Sequence, residues 1–171
     1  APSRCYRCHK LTDRYRVCPS CRKSVEVRSV AAQYCYKDVT RELIKEFKFN
    51  GKRGAAMTIA RLMTVALPEG ALLVPIPTAT SRVRERGYDH AKLLAAALST
   101  KTGLPHQTKL ARVSQNRQVG MGRSERFRHI SGAFRVVGDV RNAHIILVDD
   151  VVTTGATLSE AARLLRAAGA R

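Results

Sequence analysis

The 171-residue sequence contains no tryptophan, four phenylalanines and five tyrosines. So few rings leave little surface on which bases could stack, which weighs against an aromatic platform for single-stranded nucleic acid. Acidic residues are scarce too: 13 Asp and Glu stand against 31 Lys and Arg, a formal charge of +18. Such a chain attracts anions, so phosphate esters, nucleic acid or an acidic partner are the expected ligands. No apolar run approaches the roughly 18 residues of a membrane span, and the amino terminus lacks the pattern of a signal peptide. A soluble cytoplasmic protein with no membrane insertion is the expectation. There is no internal repeat and no low-complexity tract. The length suits one ordinary domain with a small appendage and leaves no room for two large domains. The chain opens on Ala1 rather than Met and stops at Ala168-Gly169-Ala170-Arg171, where a helix would hand over to another element, so a further strand beyond Arg171 is expected.

Five cysteines are present, and four of them follow the spacing Cys5-x2-Cys8-x9-Cys18-x2-Cys21. A reducing compartment favours metal binding over disulfides. Each two-residue knuckle can place two thiolates on one cation, and four thiolates at tetrahedral corners suit a structural zinc ion with no open coordination position. A disulfide pair or a redox CxxC are the competing readings. His9 could replace one ligand but reads as an exposed turn residue. Cys35 lies in the strand-like stretch VAAQYCY and is expected to be a buried, inert thiol. Residues 1–28 therefore form a zinc-ribbon-like appendage, too poor in large aliphatics at its start to fold on burial alone. Residues 29–171 form the main domain.

In that domain Leu43, Ile44 and Phe47 recur at helical spacing up to Asn50-Gly51, and a second helix is expected from Gly54 to about Ala66. The run ALLVPIP (71–77) reads as a buried strand closed by prolines, and TATSRVRERGYD as a loop. Asp89 can N-cap a helix reaching about Lys101. Residues 105–131 show little apolar periodicity and many arginines, and read as a long mobile loop. Strands are expected at Ala133–Val137 and in HIILVDD, followed by a helix from Leu158 to Ala168. Strands alternating with helices argue for an α/β fold with a parallel sheet, whose ligands gather at the carboxyl ends of strands.

The stretch ILVDDVVTTGAT (146–157) fits such a site. Asp149 and Asp150 would emerge from the carboxyl edge of a central strand. Thr153, Thr154, Gly155, Ala156 and Thr157 would then turn the chain into a helix, with backbone N–H groups and hydroxyls facing a phosphate monoester. Gly155 would let the backbone come close to it. The loop lacks the lysine of a P-loop and the three glycines of a dinucleotide turn. Carboxylates beside a phosphate site make sense if a hydroxyl-rich sugar or a magnesium ion lies next to the phosphate, and a ribose 5-phosphate satisfies both. Acids that merely cap a turn, or a pocket that takes magnesium alone, are the alternatives.

VDDVVTTGAT resembles the signature of type I phosphoribosyltransferases, which bind 5-phosphoribosyl 1-diphosphate (PRPP). With the four-cysteine start and the stretches YCYKDVTRELIKEFKFNGK, VPIPTATSRVRERGYDHAKLLA and ARVSQNRQVGMGRSERFRHISGAF, nearly the whole chain resembles the ComF family of competence-associated, phosphoribosyltransferase-like proteins. The resemblance implies a twisted parallel sheet with helices on both sides, a hood, and PRPP bound with magnesium. It implies that Arg82, Arg84 and Arg86 face the pyrophosphate, where several guanidiniums offer bidentate contacts. It also implies that Gln118, Arg123 and Arg126 belong to a flexible loop closing over the ligand. Purine-salvage relatives carry an acid just before the Thr-Gly of the loop, where this chain has Thr153 and Thr154, so no general base is evident. Gln115 stands where a threonine is often found. The competing function is a non-catalytic competence factor acting on single-stranded DNA, and the zinc appendage could also dock other competence proteins.

Overall fold

A computed structural model describes residues 3–113 and 132–171. Among these, six helices and four strands follow one another: α1 Pro19–Arg22, α2 Asp38–Phe49, α3 Ala55–Leu62, β1 Leu72–Pro75, α4 Thr80–Arg86, α5 His90–Thr102, β2 Leu110–Arg112, β3 Phe134–Val136, β4 Ile145–Val148 and α6 Ala156–Ala167. β1 and β4 pair in parallel with Leu73 opposite Ile146, and a parallel bridge from Leu73 to His106 extends this sheet on the other side of β1. β2 and β3 form a separate antiparallel pair, Leu110 opposite Val136.

The apolar runs of β1 and β4 place successive side chains on opposite faces, as the strand period of two requires. Leu73, Ile146 and Val148 pack with Phe47, Ala60, Leu94 and Leu98 of α2, α3 and α5. Val74, Ile145 and Leu147 pack on the other face with Leu158, Ala161 and Leu165 of α6 and with Leu110 and Phe134 of the antiparallel pair. Both faces are thus covered by helices, which explains why neither strand alternates polar and apolar residues.

The helix ends match the local sequence. Asp89 caps α5 by accepting from the N–H groups of Ala91 (3.1 Å) and Lys92 (3.2 Å). The buried Tyr88 hydroxyl donates to the Phe47 carbonyl in the last turn of α2. Lys101 reaches from α5 to the carbonyls of Ala60, Arg61 and Met63 and so closes the end of α3. At the foot of the antiparallel pair, Gly132 N–H donates to Glu160 of α6 (3.0 Å), whose carboxylate also takes Arg163.

Five expectations are corrected. VAAQYCY is not a strand: among the described residues it pairs with no strand and is pinned instead by Gln33 to Thr64 and by the Tyr34 hydroxyl to the Leu62 carbonyl. Cys35 is exposed, not buried. α3 stops at Leu62 rather than near Ala66. TATSRVRERGYD is largely helical, Thr80–Arg86, ended by Gly87 at φ 75°. The segment 105–131 also holds a strand, Leu110–Arg112. Gln118, Arg123 and Arg126 lie outside the described residues.

Candidate functional site

β4 ends at Val148, and the two acids follow at its carboxyl edge. The Asp150 side chain is 3% exposed; its Oδ2 lies 2.8 Å from Lys48 Nζ of α2 and 3.2 Å from His90 Nε2 of α5. Asp149 Oδ1 accepts from the Asp150 backbone N–H at 2.9 Å. Burial, together with the neighbouring Asp150 charge, pushes the Asp149 carboxyl up to about 7. Two adjacent carboxyls in a half-dry site cannot both ionise freely, and Lys48 compensates one of them.

His90 links this acid to the basic helix. Burial, opposed by Asp150 and reinforced by Lys48 and Arg86, holds its imidazole below the usual range. The neutral ring then turns Nε2 toward Asp150, and Nδ1 accepts from Arg86 Nη1 at 3.2 Å. The ring meets Phe47 edge-on, centroids 6.3 Å apart. Thr78 donates to Asp89 at 2.9 Å and so ties the end of β1 to the start of α5. The ligand atoms of His90, Asp149 and Asp150 all lie within 4.8 Å of one another, close enough to share a cation.

Of the three arginines read as a pyrophosphate group, Arg86 is turned inward, with its guanidinium 4.7 Å above the Phe49 ring as well as on His90. Arg82 and Arg84 are exposed. On a helix Arg82 and Arg86 share a face, whereas Arg84, two residues away, points to the opposite side. The structure thus brings Arg86 to the acid pair and leaves Arg84 apart from the other two.

After the acids, Thr153 and Thr154 are exposed, Gly155 is buried at φ 73°, and α6 begins at Ala156. Ala156 N–H is 3.4 Å from Thr154 Oγ1, and Thr157 lies half-buried in the first helical turn. The close approach that Gly155 permits is made by a protein side chain. A Cβ at this position would fall 2.0 Å from Cε2 of Tyr6, and the backbone conformation itself favours glycine.

The four cysteines of the amino-terminal segment converge. Their sulfurs lie within 4.8 Å of one another, with Cys8 and Cys18 at 3.5 Å, and no disulfide joins them. The Ser20 hydroxyl and Cys21 backbone bring the Cys18 thiol down to about 6, while burial and the neighbouring sulfurs push Cys21 up to about 12. Sulfurs crowded this closely suit a shared cation, and the set can hold a metal ion. His9 is exposed at φ 61°.

Sequence reasoning missed Lys48, His90 and Tyr6. The only local sign of the first two was their place in otherwise apolar or structured stretches, KEFKFNGK and RGYDHAK. No helix among the described residues is long and apolar enough to cross a membrane.

The phosphoribosyl transferase domain family matches residues 83–171, just over half of the chain. Competence protein ComFC of Bacillus subtilis is 30% identical over 94% of this chain and 70% of its own length. Competence protein F of Haemophilus influenzae is 32% identical over 74% of this chain and 62% of its own length. The DNA utilization protein YhgH of Escherichia coli K12 is 31% identical over 75% and 61% respectively. The chain thus spans between three fifths and seven tenths of the length of these relatives. The acid pair at a parallel strand's carboxyl end, the glycine-threonine turn into α6 and these likenesses lead to one conclusion: the chain belongs to the ComF family of phosphoribosyltransferase-like proteins.

Proposed function

We propose that the chain binds PRPP, or another ribose 5-phosphate compound, with magnesium, in the service of DNA uptake or nucleotide metabolism in the cytoplasm. The observation that carries this reading is the acid pair, Asp149 and Asp150, joined through two valines to Thr153–Thr157 at the start of α6. In this assignment the sugar hydroxyls donate to the two carboxylates. The phosphate accepts from the N–H groups of the loop and from its threonine hydroxyls, aided by the positive end of the α6 dipole. Magnesium would be held by the carboxylates beside the pyrophosphate, where it supplies charge neutralisation.

Lys48 and His90 serve the same site from the protein side. They hold Asp150 in place before a ligand arrives, so the carboxylate needs little reorganisation to accept a hydroxyl. Arg86, through His90, joins the pyrophosphate side to the ribose side, and Arg82 and Arg84 add charge from α4. Gln118, Arg123 and Arg126 are assigned to closure over the ligand. Zinc in the four-cysteine set holds the amino-terminal segment together. A transferase reaction at this site would break the bond between the sugar C1 and pyrophosphate and form one from C1 to an acceptor, with pyrophosphate leaving.

The test is calorimetry with PRPP and magnesium on the wild type and on the double variant Asp149→Asn, Asp150→Asn. Heat from the first and none from the second is expected. No heat from the wild type, or an unchanged affinity in the variant, refutes the assignment. Released pyrophosphate on adding candidate acceptors decides turnover.

A second reading, a DNA-binding competence factor without turnover, is favoured by the +18 charge and by the names of the relatives. Binding through phosphates requires affinity for single-stranded DNA to fall steeply with salt, and a flat response excludes it.

A further inference from the structure

The flank of the first turn of α6 is covered by the four-cysteine segment. Tyr6, 8% exposed, packs onto Gly155 so closely that no side chain could stand there, and its hydroxyl lies 3.1 Å from Ser159 Oγ. Gly155 and Ser159 are four residues apart and therefore lie on one face of the turn. The ring braces the side of the helix, while Thr153 and Thr154 at its amino end stay exposed.

The same helix is held again further along. Arg166 of α6 donates to the Glu26 carbonyl at 3.2 Å and lies 3.6 Å from its carboxylate. Between these two polar contacts, Val152, Val27 and Val30 pack against the buried set Cys5, Tyr6, Val17 and Cys18. Val152 directly precedes the threonine loop, so the apolar contact reaches the loop as well as the helix.

Tyr6 sits between Cys5 and Cys8, inside the first knuckle, so its orientation depends on where those two sulfurs are held. The segment's own buried set is small and two of its four members are cysteines. A cluster of this size keeps its shape through the shared cation rather than through burial. Removing the cation frees the knuckle, and with it the ring on Gly155.

We propose that the four-cysteine segment is a metal-dependent brace on the loop: through Tyr6, metal occupancy at Cys5, Cys8, Cys18 and Cys21 orders residues 152–159 and raises their affinity for a phosphate monoester. Linkage requires the reciprocal effect, so a phosphate monoester in the loop raises the affinity of the cysteines for the metal. The affinity half of this proposal rests on the reading of the loop as a phosphoribosyl site; the ordering half does not.

The test uses the full chain, metal-loaded or chelator-stripped, as wild type and as Tyr6→Ala, Tyr6→Phe and Ser159→Ala. Amide hydrogen exchange is read over residues 152–159, and ribose 5-phosphate is the binding probe. Stripping the metal and Tyr6→Ala are each expected to speed exchange there and to weaken ribose 5-phosphate about tenfold, within the usual range of coupling between sites. Stripped Tyr6→Ala should be no worse than stripped wild type, since both act through one contact. Tyr6→Phe and Ser159→Ala keep the ring and lose only the hydroxyl contact, so smaller changes in the same direction are expected even if Tyr6→Ala does not fold. Exchange over 152–159 that ignores both the metal and these substitutions overturns the brace. Ribose 5-phosphate that fails to bind metal-loaded wild type overturns the phosphoribosyl reading, and exchange still decides the brace.

Discussion

Replacing Asp149 with asparagine should make the protein more stable, and more so as pH rises. The Asp149 carboxyl sits at about 7 in the fold against an ordinary 3.8, because it is buried and lies beside Asp150. A folded-state value raised above the unfolded one means that the native protein binds the proton more tightly. The stabilisation from that proton is complete below about pH 4 and is lost as pH rises through 7. At about 1.4 kcal/mol per unit, the three-unit difference sets an upper bound of roughly 4 kcal/mol on the loss. Asparagine has nearly the same shape, keeps an oxygen to accept the Asp150 N–H, and carries no charge to desolvate. In magnesium-free buffer, urea or thermal unfolding of Asp149→Asn and wild type should separate by a few kcal/mol at pH 8 and converge below about pH 4. For a chain of this size each kcal/mol corresponds to roughly 2–4 °C. A variant no more stable than wild type at pH 8, or a gap that ignores pH, would refute the reasoning.

Lys48→Met removes one of the two groups on Asp150 and should cost about 3 kcal/mol at pH 8, as breaking a largely buried pair does. Without Lys48 the His90 pKa rises, so the loss should shrink at pH 6, where a protonated imidazole takes over; NMR titration of His90 checks the cause. Asp89→Ala removes both capping contacts of α5 and should cost about 1 kcal/mol in urea unfolding. Elemental analysis should find one zinc per chain, and Cys18→Ser should release it and abolish the compact resonances of residues 3–28.

What could be read from the residues themselves followed from local rules. The apolar runs of β1 and β4, the Asp89 cap and the acids after Val148 are all written within a few consecutive positions. Helix α4 escaped because its seven residues hold one aliphatic, Val83, and so show no periodicity; its charges read as loop. The stretch 30–36 was misjudged in the opposite way, since β-branched and aromatic residues suggested a strand, but propensity cannot supply a partner. The heart of the site was hidden for a third reason. Lys48, His90 and Asp150 come from three distant stretches, and no spacing rule connects positions that only the fold brings within 3.2 Å. Gly155 shows the same limit: its need for room was legible, but the ring that fills the room was not.

The contact between Tyr6 and Ser159 spans 153 residues of chain. During synthesis the knuckles leave the ribosome before α6, and at about 5–20 residues per second their docking surface follows roughly 8–30 s later. The cysteines can therefore take up a metal ion well before there is anything for them to hold. A nascent chain that misses an ion in that interval would reach α6 with nothing to set the tyrosine, so the order of translation puts metal capture ahead of the docking of Tyr6.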